Sequence, residues 1–324
     1  MPFATIDIGT NTAQLLVVER DGDALRRLHA AERFVRLGEG VDASGRIGDD
    51  AQNRLLATLQ EHKQAAHDHG AERIVVAGTS ALRNATNRDA VLDRVQRKLG
   101  LTVEILPGEE EAAWSFAAAC SAFGDLTGSC LVVDIGGGST ELVAGHNPAA
   151  HRPNYSAAIT DRASLDVGCV RLTERCFDDQ PPSDTAIADV TTLIDDTLAD
   201  AALNVSPNPT VIGTAGTATA LALVHLGPES TWDALHGDGF TLSHTDVQHW
   251  RDRLLSCTVD EILALHPNAM AGRADVFPIG VILLDRVLRH YDCPSFRVSP
   301  YELRHGLALR ALTSAAPPSP TASP

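Results

Sequence analysis

One short phrase occurs twice in this chain, and few folds accommodate the repetition. Ala4 to Val17 reads ATIDIGTNTAQLLV, and Leu131 to Val143 reads LVVDIGGGSTELV. Each copy is an apolar strand ending in Asp-Ile-Gly, a turn of Gly, Ser, Thr and Asn, and a second apolar strand. Glycine lets backbone N–H groups approach an anion and hydroxyls add further donors, so such a turn is a natural phosphate cradle. The candidate ligands are Gly9, Thr10, Asn11 and Thr12 in the first copy. In the second they are Gly136, Gly137, Gly138, Ser139 and Thr140. A third glycine-rich turn, GTAGTAT, follows the strand Thr210–Ile212 and adds Gly213, Gly216 and Thr217. Any one of these alone reads as an ordinary hairpin or helix-start turn. Three of them, each after a strand, point to phosphate. Two copies of the phrase predict two similar halves facing each other across a cleft.

Asp7 and Asp134 stand where each first strand ends, and Glu141 opens the strand after the second turn. They are candidate metal carboxylates, because Mg²⁺ prefers oxygen ligands and is commonly held by one or two carboxylates plus phosphate oxygens. The alternative is that the aspartates cap their own turns by accepting backbone N–H groups.

The remaining composition narrows the function classes. At 324 residues the chain is long enough for two domains, each with its own core. Its net charge of −16 argues against a nucleic-acid binder, which needs broad cationic surface. The same charge repels a polyanionic substrate, so attraction has to be local, from backbone N–H groups, arginine and metal. No apolar run approaches the ~20 residues that span a bilayer. The N-terminus enters a strand at once, without a leader, so the expectation is a cytoplasmic protein without membrane contact. Six scattered cysteines lack any metal spacing and read as reduced thiols.

Periodicity gives an alternation of strands and helices. Expected strands in the first half are Phe3–Ile8, Leu15–Glu19, Leu25–Ala31, Arg73–Ala77 and Thr102–Leu106, with helices Ala51–His69, Arg88–Leu99 and Glu109–Phe123. The second half restarts with Leu131–Asp134, Glu141–Ala144 and Ala163–Val167. Helices are expected at Val170–Phe177, Asp184–Ala202, Asp246–Leu255, Val259–Ala264, Ala274–Tyr291 and Tyr301–Leu312, and a strand at Phe296–Val298. The Pro/Ser/Ala-rich tail 314–324 is expected to be disordered.

At this point the residues resemble the exopolyphosphatase/guanosine pentaphosphate phosphatase (Ppx/GppA) family of the actin–hexokinase–Hsp70 superfamily. The resemblance runs to about Leu312 and is carried by blocks in order. They are IDIGTNT, GTSALRNA at Gly78–Ala85, GEEEA at Gly108–Ala112, VVDIGGGSTEL and DVGCVRLTERCF at Asp166–Phe177. GTAGTATAL, GRADVFPIG at Gly272–Gly280 and YELRHGL at Tyr301–Leu307 complete the series. It implies an α/β fold of two duplicated actin-like (ribonuclease H-like) domains with an interdomain cleft. Domain I would cover 1–124, with the C-terminal helix 301–313 packing back on it, and domain II 125–300. Longer members carry a further helical domain, so this chain resembles the short form, and a preference for short polyphosphate is expected.

The resemblance also implies roles. Glu111 falls at the family's catalytic glutamate, and a carboxylate at a helix start can orient a water and accept its proton. Glu110 remains a rival, and Glu109–Glu111 together also fit a merely favourable helix start. Arg83 falls where the family carries a phosphate-binding arginine, suited to bidentate contact. Arg171 and Arg175 lie on the path of a longer substrate. Gly272–Asp275 reads as a buried turn that matters for the fold. The implied activity is release of orthophosphate from the end of linear polyphosphate, with Mg²⁺ (or Mn²⁺) as cofactor and a homodimer as the family's precedent. The alternatives are hydrolysis of guanosine pentaphosphate to the tetraphosphate, and a non-catalytic regulator that binds these guanosine phosphates or polyphosphate.

Overall fold

The computed structural model describes residues 1–22, 24–146, 158–236 and 239–314. The expected tail lies outside them from 315 onward.

The strands are β1 (Phe3–Ile8), β2 (Thr12–Asp21), β3 (Ala24–Phe34), β4 (Ile74–Gly78), β5 (Val103–Ile105), β6 (Ser129–Ile135), β7 (Thr140–His146), β8 (Ile159–Leu165), β9 (Thr210–Thr214), β10 (Phe240–Ser243) and β11 (Ser295–Val298). They form a five-stranded sheet in the order β3-β2-β1-β4-β5 and a six-stranded sheet in the order β10-β11-β9-β6-β7-β8. In each, three consecutive strands pair antiparallel (β1-β2-β3; β6-β7-β8), and the first of them then takes a parallel neighbour on its other side (β4; β9). The parallel run continues with β5 in one sheet and β11 in the other. The two sheets are thus one design made twice, with β10 added at one edge.

The helices are α1 (Val41–Ser44), α2 (Asp49–Asp68), α3 (Ser80–Asn84), α4 (Arg88–Leu99), α5 (Gly108–Ser121), α6 (Cys169–Cys176), α7 (Asp184–Ala201), α8 (Ala215–Leu226), α9 (His244–Leu255), α10 (Val259–Leu265), α11 (Pro267–Met270), α12 (Phe277–His290) and α13 (Leu303–Ser314). None of the described helices is long and apolar enough to cross a membrane. Leu55, Leu59 and Ala66 of α2, a stripe at helical spacing, cover one face of the first sheet together with Val91 and Val95 of α4. α8 and α12 form the centre of the second core. They are buried nearly all round and carry few charges (AGTATALALVHL; FPIGVILLDRVLRH).

Several elements differ from the periodicity reading, each for a local reason. β8 begins at Ile159, ahead of the expected Ala163, because its first half (ITDRA) is too polar to read as a buried strand. α3 is a single helical turn, below the length that periodicity resolves. β10 is four residues long and gains its identity only by pairing with β11.

Two helices interlock the halves. α5 precedes β6 in sequence, yet Ala112, Phe116 and Cys120 pack with Cys130 and Val132 of β6 and Val143 of β7. α13 ends the described chain, yet Leu303 and Leu307 pack with Ala77 and Leu106, and Ala308 with Leu16 and Val18, on the open face of the first sheet.

Candidate active site

The two repeated phrases fold into matching hairpins. Asp7 pairs across from Gln14, and Asp134 across from Glu141. Gly9 N–H donates to Thr12 O at 2.9 Å, and Gly136 N–H to Ser139 O at 3.0 Å. Behind each turn the carbonyls are tied down. Val35 and Arg36 N–H donate to Asn11 O, and Gly38 N–H donates to Thr10 O. Cys169 N–H donates to Gly136 O, and Val170 and Arg171 N–H to Gly137 O, from the first turn of α6. In a trans peptide the N–H points opposite to the C=O. Fixing these carbonyls outward therefore turns the N–H groups of Asn11, Thr12, Gly137 and Gly138 toward the cleft.

The turns also meet each other. A Cβ placed on Gly137 would lie 2.9 Å from Thr10 Cβ, and one on Gly138 would lie 2.6 Å from Ser80 Oγ and 2.8 Å from Thr10 Oγ1. The φ angles of Gly136, Gly137 and Gly138 lie outside the left-handed region. Close approach of the two halves, rather than backbone conformation, is what requires glycine here.

A cleft opens at this meeting point. Gly9 to Thr12 and Gly136 to Ser139 line it from two sides. Ala215, Gly216 and Thr217 close a third, at the N-terminus of α8. Ala215 stands there at φ 60°, a left-handed backbone that alanine rarely adopts. Two of the candidate phosphate ligands are engaged elsewhere. Gly213 lies within β9 under Phe296, whose ring would be 2.7 Å from a Cβ. Thr140 Oγ1 donates to Val167 O at 2.6 Å.

Six carboxylates line the cleft (Asp7, Glu32, Glu111, Asp134, Glu141 and Glu302), and Arg273 is the cationic side chain facing them. Burial pushes Asp7 well above the ordinary carboxylate range, and Glu111, Glu302 and Asp134 add to the push. Burial also raises Asp134, to about 7, against the Ser115 hydroxyl beside it. Glu141 is raised well above its usual value by burial, then by Glu111 and Asp134, although Ser164 Oγ donates to its Oε1 at 2.8 Å. Glu302 is raised by burial against the opposing charge of Arg304. Glu111 is raised by burial and pulled down by Arg83.

Glu110 and Glu111 part company because successive helical side chains diverge by ~100°. Glu111 faces the cleft, buried. Glu110 Oε1 accepts from Arg310 Nη1 of α13 at 2.9 Å and lies away from it. Arg83 does not line the cleft. Its Nη1 donates to Glu111 Oε2 at 2.7 Å and to Leu106 O at 2.9 Å.

Asp7 Oδ1 is buried without a hydrogen-bond partner. Such an orphaned oxygen, in a cluster whose carboxylates are pushed upward by burial and by one another, fits a divalent cation. Among the described residues no three acidic, histidine or cysteine side chains are close enough to enclose a metal by themselves. The donor set therefore suits an ion that takes one or two carboxylates and completes its shell with water and phosphate oxygens, as Mg²⁺ does.

Sequence reasoning missed four cleft residues, three of which (Glu32, Arg273 and Glu302) arrive from distant segments. Gln14 Nε2 bridges Glu32 Oε2 at 2.7 Å and Glu302 Oε2 at 3.1 Å. Arg273 stacks over Phe34 and reaches across the halves, donating to Gly216 O at 3.0 Å and pairing with Glu32 at 2.5 Å. Gln14 is the first-half counterpart of Glu141, a signal present in the repeat itself. Arg273 and Glu302 lie inside GRAD and YELR and gave no chemical signal on their own. Asp275 of the same GRAD segment makes two bonds to Arg36, 2.7 and 2.9 Å long. GRAD is thus a tie between the halves as well as a turn. Arg171 and Arg175 form a second tie, pairing with Asp42 of α1 beyond the phosphate turns.

The model of the Ppx/GppA phosphatase family matches residues 16–315. Exopolyphosphatase 2 of Mycobacterium tuberculosis is 33% identical over 322 residues, covering 94% of this chain and 97% of that protein. The guanosine-5'-triphosphate,3'-diphosphate pyrophosphatase of Aeromonas salmonicida is 31% identical over 94% of this chain, which spans 58% of that protein. A crystal structure of an exopolyphosphatase from Cytophaga hutchinsonii superposes with a TM-score of 0.84, at 26% identity, over 98% of this chain and 99% of the other.

Proposed function

As this chain belongs to the Ppx/GppA phosphatase family, we propose that it is an exopolyphosphatase that hydrolyses the terminal phosphoanhydride of linear polyphosphate and releases orthophosphate. The observation that carries the reading is the meeting of two donor-lined turns beside one buried carboxylate, Glu111.

The terminal phosphoryl group sits between the turns, its oxygens accepting from the N–H groups of Asn11, Thr12, Gly137 and Gly138 and from the hydroxyls of Thr10 and Ser139. Preorganised donors of this kind favour the charge that spreads over those oxygens as the bond breaks. A water beside Glu111 attacks phosphorus. Its oxygen forms the new P–O bond, its proton passes to Glu111, and the bond to the bridging oxygen breaks toward the shortened chain. The upward push of burial on Glu111 suits this role, because a base works best when its pKa approaches the working pH. One or two of Asp7, Asp134 and Glu141 would hold Mg²⁺ or Mn²⁺, with water and phosphate oxygens completing its shell. Bound there, the ion supplies positive charge that offsets the repulsion between an acidic cleft and a polyanion.

Phosphate release with Mg²⁺ from tripolyphosphate, long polyphosphate and guanosine pentaphosphate, for wild type and Glu111→Gln, tests the reading. Polyphosphate turnover that collapses in Glu111→Gln is expected. A kcat/KM at least tenfold higher on guanosine pentaphosphate would move the assignment to the other activity named in this family.

A further inference from the structure

Arg83 and Glu111 come from separate elements, α3 and the first turn of α5, and meet at 2.7 Å. Given the hydrolytic reading above, we propose that Arg83 is a positioning residue that clamps Glu111 from behind, and that it does not bind the substrate phosphate.

Three observations carry this. First, one guanidinium nitrogen, Nη1, donates to both Glu111 Oε2 and Leu106 O. Leu106 is fully buried and is joined to the start of α5 by Pro107 alone, so a single donor fixes both the carboxylate and the approach to its helix. Second, Glu111 lines the cleft and Arg83 does not. Third, the guanidinium is flanked by the start of α5, which packs against β8: a Cβ on Gly108 would lie 3.8 Å from Arg83 Nη2 and 2.8 Å from the Ser164 side chain. The clamp occupies Oε2 and leaves Oε1 to accept the proton of the attacking water. A carboxylate whose torsions are fixed by a second contact keeps its reacting oxygen in place, which is where orientation contributes to rate.

The test is a double-mutant cycle on tripolyphosphate with Mg²⁺, using Arg83→Met, Arg83→Lys, Glu111→Gln and Arg83→Met/Glu111→Gln. Calorimetric affinity for tripolyphosphate is measured alongside. A residue that acts only through Glu111 lowers kcat about 10- to 100-fold with KM within about threefold. In the Glu111→Gln background the same change moves residual kcat and Kd by less than about twofold. Arg83→Lys keeps the charge but cannot reproduce the two-acceptor clamp, so it falls between wild type and Arg83→Met. It serves as the working variant if Arg83→Met does not fold. A tenfold rise in KM and in Kd, with effects that multiply in the double variant, makes Arg83 a phosphate ligand and overturns the proposal while leaving the activity standing. A wild-type protein that neither binds nor hydrolyses tripolyphosphate overturns the functional reading and this proposal with it.

Discussion

Gly168, far in sequence from either phosphate turn, is a position where one methyl group should disturb the site directly. It caps α6 with φ −140° and ψ 163°, an extended conformation open to any residue. Alanine there meets no backbone penalty of its own. Its Cβ, however, would lie 2.5 Å from both C and O of Gly137 and 2.6 Å from C of Gly138. These are main-chain atoms, so no side-chain rotation relieves the clash. Restoring an ordinary contact of 3.4 Å requires the turn and the helix to separate by about 0.9 Å, the difference between 3.4 and 2.5. That movement pulls at three hydrogen bonds of 2.9 to 3.0 Å, from Cys169, Val170 and Arg171 to the turn carbonyls. At ~1 kcal/mol each, their loss costs up to about 3 kcal/mol of stability. A donor displaced by ~1 Å from a reacting group costs about 100-fold in rate, or about 2.7 kcal/mol of barrier. Steady-state phosphate release by Gly168→Ala should fall by that order, with a lowered thermal midpoint. Gly124→Ala, which meets nothing within 4 Å, should match wild type. Gly168→Ala with kcat within twofold of wild type would refute the claim that α6 shapes the second turn.

Glu111→Gln should lose about 10²- to 10⁴-fold in kcat, the span of a general base, whereas Glu110→Gln, partnered by Arg310, should stay within about threefold. Asp134 holds its proton in the fold up to about pH 7, where an unfolded aspartate has lost it near 3.8. The folded state thus binds more protons across that window, and stability without metal falls as pH rises through it. Mg²⁺ should therefore raise the melting temperature more at pH 8 than at pH 5, and the Mg²⁺ concentration for half-maximal rate should climb several-fold from pH 8 to pH 6. Calorimetric scans with and without Mg²⁺ check the first, and metal titrations of rate the second. The Arg175–Asp42 tie is half-exposed, so Arg175→Ala should cost under about 1 kcal/mol of stability, measured by denaturant unfolding.

What the sequence reveals is local. The repeated Asp-Ile-Gly phrase predicts both hairpins because strand, turn and strand lie within a dozen residues and share one alternating pattern. Asp7, Asp134 and Glu141 follow from it, as does the pairing of the halves. Partners that meet only through the fold stay hidden. Glu302 and Gln14 are 288 positions apart, and Arg273 and Glu32 are 241 apart. Nothing in a lone glutamate at a helix start says which way it points, which is why Glu110 and Glu111 separate only once α13 supplies Arg310. Arg83 shows the same limit: residue type predicts an anion partner, and only the fold brings Glu111 within 2.7 Å of it.

The crossing of α5 and α13 governs how this polypeptide can be made. During synthesis the first sheet leaves the ribosome with one face bare, and the helix that covers it emerges only after every strand of the second sheet. The preceding helix α5 must meanwhile wait for strands not yet translated. A single cut between the halves therefore leaves each sheet without a helix that packs on it.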